Sequence, residues 1–294
     1  MLYQIKHQGK RVLNALLRPL GWTLAPLNTP TPTAKQTPAK RETMRGGLLN
    51  ARELGLNPRT IFDVGVASGT PELYEVFPQS AYMLVEPLRE YTPFLEDIIT
   101  SLDDARYVLA AAGEAPGEIE IMVHPFLPGS SFYLDSSAQD VSNPYNGEPR
   151  TVPVTTVDAL REQHNLTGPY LIKADVQGAE LDVIRGADAV LKETAMILLE
   201  VSLFDYFDGS GLFHDVVEFM RVRGFVVYDI VGSIYRPLDD ALSNVDVVFV
   251  PEDSPLRQHN RFGSVEYYEE LRARWPQQFA ERSAAITQKI EEKS

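Results

Sequence analysis

Short apolar runs punctuated by glycine and proline alternate along this chain with stretches whose apolar residues recur every three or four positions. That alternation predicts strands interleaved with helices, an α/β architecture around a mostly parallel sheet. Met44 to Leu56 predicts a helix that buries Leu48, Leu49 and Leu54 and stops at Gly55 and Pro58. Ile61, Phe62 and Val64 suit a strand buried on both faces, broken only by Asp63. Ala81 to Val85 reads as the next strand, Tyr91 to Ser101 as a helix and Tyr107 to Ala111 as a third strand. Glu118 to Val123 and Thr151 to Thr155 alternate and predict antiparallel strands. A helix from Thr156, a strand over Pro169 to Ala174, a helix over Ala179 to Arg185 and a strand carrying Glu200 follow. A helix over Leu212 to Arg223 then leads to Phe225 to Val231 and Val245 to Val250, a terminal antiparallel pair.

Four segments differ in pattern. Residues 1–22 space Ile5, Val12, Leu13, Leu16, Leu17 and Leu20 for a helix and set Lys6, Lys10, Arg11 and Arg18 among them. Such a basic amphipathic helix suits peripheral contact with an anionic membrane surface, or docking on this protein or a dimer mate in a homo-oligomer. Residues 23–43, with Pro26, Pro30, Pro32 and Pro38, read as a linker. Residues 44–255 form the main domain. Residues 256–294 form a charged tail in which Tyr267, Tyr268, Leu271, Trp275 and Phe279 space an interrupted helix, split at Pro276 and packed on the domain or a partner subunit.

Within the domain, Thr60 to Thr70 combines a strand end, a tight turn of small residues and a helix start. Gly65, Ala67 and Gly69 permit a close backbone approach, and Thr70 followed by Pro71 suits an N-cap and first helical residue. This is the layout of a nucleotide site. The small residues do not follow the Gly-x-Gly-x-x-Gly spacing of pyrophosphate loops, and no basic residue lies between Thr60 and Thr70. A cationic, phosphate-free ligand fits such a turn better than a diphosphate. Asp63 precedes the turn, and Glu86 closes the following strand 23 residues later, close to where an acid meets ribose hydroxyls in such folds.

The Asp63-Val64-Gly65 turn, the Val85-Glu86-Pro87 strand end, the run Leu171 to Glu180 and Leu199-Glu200-Val201 together resemble the FkbM-type methyltransferases. The resemblance spans about Met44 to Pro251, and Lys173 to Glu180 is its most specific part. It implies a Rossmann-like class I methyltransferase with a seven-stranded, mostly parallel sheet, a terminal antiparallel strand and helices on both faces. It also implies S-adenosylmethionine as cofactor and, for many members, O-methylation of sugars or natural products. Ala67 departs from a glycine common in methyltransferases, and Gln177 from a glutamate common among relatives.

On that topology Asp63, Gly65, Ala67, Gly69, Thr70 and Glu86 are candidate cofactor contacts, and Ala112 is a candidate support for the adenine ring. Lys173, Asp175 and Glu200 fall where the strands open into the ligand crevice and are the candidate catalytic group. Asp175 or Glu200 would take the acceptor's proton, with Lys173 tuning their pKa values. A divalent metal held by two carboxylates is the less favoured scheme, because Lys173 competes for them. Ser130, Ser131, Tyr133 and Tyr145, in the long polar stretch from Pro128 to Pro149, are candidate acceptor contacts. Glu180 has a sufficient explanation in the helix dipole, which an active-site role would supplement. His214 is either a surface histidine or an alternative base.

Charge narrows the partners. Up to residue 45 the chain has eight basic residues against the single acid Glu42, and the remainder has 19 basic and 40 acidic, leaving the whole at −14. A body that acidic is a poor partner for nucleic acid, so a small-molecule or glycan acceptor is expected. The 294-residue chain has no cysteine, which fits a reducing, cytoplasmic setting, and in that setting the Asn165-Leu166-Thr167 sequon has no use. An oxidoreductase or nucleotidyl-sugar enzyme on a similar sheet, and a membrane-tethered scaffold that binds cofactor without turnover, are the competing readings.

Overall fold

The computed structural model describes residues 41–124, 127, 147–206 and 209–291. The expected N-terminal helix, most of the linker, and Ser130, Ser131, Tyr133 and Tyr145 lie outside these residues. The elements are α1 (Met44–Glu53), β1 (Thr60–Val64), α2 (Pro71–Val76), β2 (Ala81–Val85), α3 (Thr92–Ser101), β3 (Ala105–Val108), β4 (Ala111–Ala112), β5 (Gly117–Val123) and β6 (Glu148–Thr155). They continue as α4 (Val157–Gln163), β7 (Tyr170–Ala174), α5 (Glu180–Arg185), α6 (Asp188–Leu191), β8 (Thr194–Ser202), α7 (Phe213–Val222), β9 (Phe225–Tyr235), β10 (Leu242–Pro251) and α8 (Val265–Glu291).

The seven-stranded sheet runs β3-β2-β1-β7-β8-β10-β9. Its first five strands are parallel. β10 lies antiparallel between β8 and β9. β1 is buried along its whole length, because helices cover both faces of the sheet. Phe62, Ile172, Ile197 and Leu199 pack on one face with Leu160, Val183 and Met220. Ile61, Leu171 and Leu198 pack on the other with Leu48, Leu73 and Leu95. The chain winds outward from β1 through β2 to β3 and then from β7 to β8 in the opposite direction. The order therefore reverses between β1 and β7, and a crevice opens beyond their C-terminal ends.

A smaller sheet, ordered β4-β6-β5, stands beside that crevice. Its apolar face meets the chain after β2 through Leu88, Tyr91, Ala111, Ile121, Val123 and Val152. Arg150 on β6 fastens it with paired donations to both oxygens of Glu90, at 2.8 and 2.9 Å.

The structure corrects four expectations. The strand expected from Tyr107 to Ala111 is two strands, because β3 pairs with β2 while β4 leaves to pair with β6. Leu54, expected in the core, is 56% exposed, since α1 ends at Glu53 and Leu54 is its C-cap. α8 runs unbroken through Pro276. There the missing amide removes one hydrogen bond without ending the helix. Of the two alternatives for Tyr267, Tyr268, Leu271, Trp275 and Phe279, packing on the domain does not hold, because all five are exposed on this chain.

Candidate active site

The end of β1 is organised around Asp63, which has no exposed surface. Its Oδ2 accepts from the Tyr74 hydroxyl at 2.7 Å and its Oδ1 from the Thr70 hydroxyl at 3.2 Å. The Tyr74 oxygen in turn accepts from the Thr70 amide at 3.0 Å. Thr70 is therefore not the side-chain cap that its position suggests, because its hydroxyl is committed to Asp63. Burial, reinforced by the Asp63 charge, raises the Tyr74 phenol well above the ordinary tyrosine range.

Between Asp63 and Thr70 the backbone turns through Gly65 at φ +75°, Ala67 at +47° and Gly69 at +111°. All three lie in the left-handed region that glycine tolerates best. At Gly65 the need for glycine is absolute: a Cβ there would sit 1.8 Å from the Asp175 carbonyl oxygen. The turn is held from the β2 side by Glu86, which is 4% exposed. Its two oxygens accept from the amides of Ala67 at 2.8 Å and Leu88 at 2.9 Å. Burial pushes the Glu86 carboxyl up, against the lowering effect of those two amides.

At the end of β7, Lys173 Nζ lies 3.4 Å from Asp175 Oδ2 and 3.7 Å from Asp63 Oδ1, and it donates to the Gly65 carbonyl at 3.3 Å. Burial by itself would lower the lysine pKa, but the Asp175 and Asp63 charges outweigh it and hold the ammonium above its ordinary range. Of the two acids within reach of Lys173 in the sequence pattern, Asp175 takes the pairing and Glu200 does not. The Gln177 amide stands between the two acids, donating to Asp175 Oδ1 at 3.1 Å and to Glu200 Oε2 at 3.2 Å. Burial, then the neighbouring acids Asp175, Glu180 and Asp246, push Glu200 up to about 8. Burial likewise raises Glu180 to about 7, although its Oε1 accepts from the Val176 and Gly178 amides.

A cavity of about 130 Å³ occupies the crevice, with Gly65, Ala67, Glu86, Tyr91, Ala112 and Asp175 on its wall. Four of the cofactor candidates, Gly65, Ala67, Glu86 and Ala112, thus face one space. Asp63, Gly69 and Thr70 do not line it; Asp63 and Thr70 belong to the network that shapes the turn. Of the catalytic candidates Asp175 reaches the cavity, while Lys173 and Glu200 do not line it. Glu180 is buried beneath the turn after β7, clamping its amides. The His214 side chain is 77% exposed and faces Asp215 at 3.4 Å, away from the cavity wall. Among the described residues no group of three or more His, Asp or Glu is placed to hold a metal ion.

Three participants escaped sequence reasoning. Tyr74 lies one helical turn beyond Thr70, a spacing that aims it back at the strand end. Gln177 drew notice only as a departure from glutamate. Asp246 is a polar position within an apolar alternation on β10, directly opposite Glu200 in the strand register. Its pKa is raised to about 6, first by burial and then by Asp175.

A parallel sheet that reverses between β1 and β7, with β10 inserted antiparallel and a glycine turn facing an acid at the end of β2, is the arrangement of a class I methyltransferase. A family model described as the methyltransferase FkbM domain matches residues 63–227. The chain belongs to the FkbM methyltransferase family. It is similar to Methyltransferase 1 of Beauveria bassiana (strain ARSEF 2860), at 24% identity over 186 residues, spanning 57% of this chain and 72% of that one. Among solved structures, the precorrin-6y C5,15-methyltransferase of Geobacter metallireducens GS-15 is 16% identical with a TM-score of 0.37, covering 74% of this chain and 92% of that one. The N-methyltransferase NodS of Bradyrhizobium japonicum WM9 is 8% identical with a TM-score of 0.40, covering 70% and 93%.

Proposed function

We propose that the chain is an S-adenosylmethionine-dependent O-methyltransferase whose acceptor is a hydroxyl on a sugar, glycan or natural product. The observation that carries this reading is that Asp175 stands on the wall of the same cavity as Gly65 and Glu86. A proton acceptor and a crevice of about 130 Å³ lined by the glycine turn thus share one opening. The residues present fit the cofactor: the Gly65 turn leaves room for close approach, Ala67, Ala110, Ala111 and Ala112 keep the wall low, and Glu86 supplies a carboxylate for ribose hydroxyls.

Bound S-adenosylmethionine supplies an electrophilic methyl group. The chain's own part is to align the acceptor, keep water out and take a proton. Asp175 Oδ2 is within reach of Lys173 and Oδ1 of Gln177, so the carboxylate is fixed in one orientation at the cavity wall. From there it accepts the hydroxyl proton as general base. Lys173 compensates the charge of Asp63 and Asp175 from behind Gly65 and does not touch the acceptor. The same occupation of both Asp175 oxygens supports a metal-free scheme over one in which the acids share a divalent cation. Among the described residues no helix is long and apolar enough to cross a membrane.

Isothermal titration with S-adenosylmethionine and with NAD, on the wild type and on Glu86→Ala, tests the cofactor. Micromolar binding of S-adenosylmethionine alone, weakened by the substitution, is the expected result; preference for NAD would overturn the reading. With an acceptor found by screening, Asp175→Asn should abolish turnover without changing the fold, and full activity in that variant would remove Asp175 from the mechanism.

A further inference from the structure

The link between β7 and α5 holds a side chain in an unusual place. Gln177 is a non-glycine residue at φ +55°, followed by Gly178 at +101°. From beneath, Glu180 Oε1 fixes this turn by accepting from the amides of Val176 at 2.9 Å and Gly178 at 3.2 Å. The left-handed backbone so secured sends the Gln177 side chain across to the next strand. There its Nε2 lies 3.1 Å from Asp175 Oδ1 and 3.2 Å from Glu200 Oε2. An amide nitrogen carries two hydrogens, so both donations are made at once. Gln177 also lines the cavity that Asp175 faces.

We infer that Gln177 is a positioning residue that joins Asp175 and Glu200 into one acid pair, giving a hydrogen to each so that Asp175 meets the acceptor with Glu200 held beside it. Resting on the methyl-transfer reading above, this gives the pair a division of labour. Asp175 has Lys173 on its other oxygen. The acids that act on Glu200 are Asp175 after β7, Glu180 on α5 and Asp246 on β10, with Lys173 as the opposing cation. In that company it is the carboxyl that retains a proton at neutral pH, and the amide bond to Oε2 partly offsets this by favouring its charged form. A glutamate at 177 would reverse the arrangement. When ionised it has no hydrogen to give, and it would set a third carboxylate at the same short distances from both acids. The glutamine is therefore what lets two acids approach one side chain without repulsion.

Infrared titration of the protonated carboxyl band tests this without an acceptor or any turnover. The band belonging to Glu200 is identified by its loss in Glu200→Gln, and its midpoint is compared in the wild type, Gln177→Met and Gln177→Glu. Removing the amide donor in Gln177→Met should move the midpoint to higher pH by about one unit. Gln177→Glu should move it the same way and add a second protonated carboxyl at neutral pH. An unchanged midpoint in both variants, or a wild type with no Glu200 band at neutral pH, would overturn the role of Gln177. S-adenosylmethionine titration on the same samples reports separately on the cofactor: a shifted midpoint in a protein that does not bind it supports the acid pair and refutes the methyl-transfer reading.

Discussion

Asp246 stands directly opposite Glu200 in the antiparallel pairing of β10 with β8, so two carboxyl groups share one face of the sheet. Opposed residues on neighbouring strands bring their Cβ atoms to about 5 Å. Neither group is free to shed its proton at the usual pH, and burial leads the causes for both.

Stability should consequently fall as pH rises. Glu200 is raised from 4.5 to about 8, Glu180 from 4.5 to about 7 and Asp246 from 3.8 to about 6. Across roughly pH 4.5 to 8 the folded chain binds more protons than the unfolded one, so the slope of stability against pH is negative in that window. Thermal unfolding should show a higher midpoint at pH 5.5 than at pH 8. Glu200→Gln should raise the midpoint by a few degrees at pH 8 and change it little at pH 5.5. A flat profile in the wild type would contradict the burial of these acids.

Removing Lys173 should be severe for the fold. Lys173→Met leaves Asp63 fully buried with no cation near it, since the remaining partners are the hydroxyls of Thr70 and Tyr74. Breaking a buried pair from one side costs about 3–5 kcal/mol. Denaturant unfolding should register that loss, and a variant as stable as the wild type would show that Lys173 does not hold the buried Asp63 charge.

Tyr74→Phe removes a donor to Asp63 and an acceptor for the Thr70 amide in one step. An unsatisfied buried group costs about 1–3 kcal/mol. The loss should appear in chemical unfolding and also as weaker S-adenosylmethionine binding, because Asp63 and Thr70 bracket the Gly65 turn. Unchanged values for both would show that the Asp63 network does not support the turn.

Arg150→Met releases the paired donation to Glu90. Both side chains are about one-third exposed, at 30% and 32%, so the global effect should stay near 1 kcal/mol or less. Local opening should be more visible. Hydrogen exchange of the β5 and β6 amides should speed up while that of β1 and β7 does not, and uniform exchange across both sheets would argue against a fastening role.

The central sheet was legible because β1, β2 and β7 are short apolar runs with turn residues at their ends, a pattern set by burial on both faces. Glu86 and Asp175 were legible for the same reason, since an acid at the end of such a run stands out. Asp63 was harder to read. Its position signalled a site, but the side chain that claims it, Tyr74, follows from helix geometry rather than from any motif. Thr70 misled because a hydroxyl before a proline has two possible partners, and only the fold decides between the helix amides and a buried carboxylate. The split of β3 from β4 was hidden for a related reason: sequence shows extended backbone and not which sheet accepts it. In α8 the spacing revealed the helix, whereas the exposure of its aromatic side depends on what surrounds it.

The contact of Gly65 with the Asp175 carbonyl has a consequence for redesign. The Gly65 turn and the turn after β7 touch main chain to main chain, with no side chain between them to absorb a change. On the function proposed above, reshaping residues 175–178 to admit a new acceptor will therefore disturb donor affinity as well. The smaller sheet, packed beside the crevice through apolar side chains and the Arg150–Glu90 pair, brings Ile121 to the same cavity without that main-chain contact, so a change at Ile121 leaves the Gly65 turn untouched.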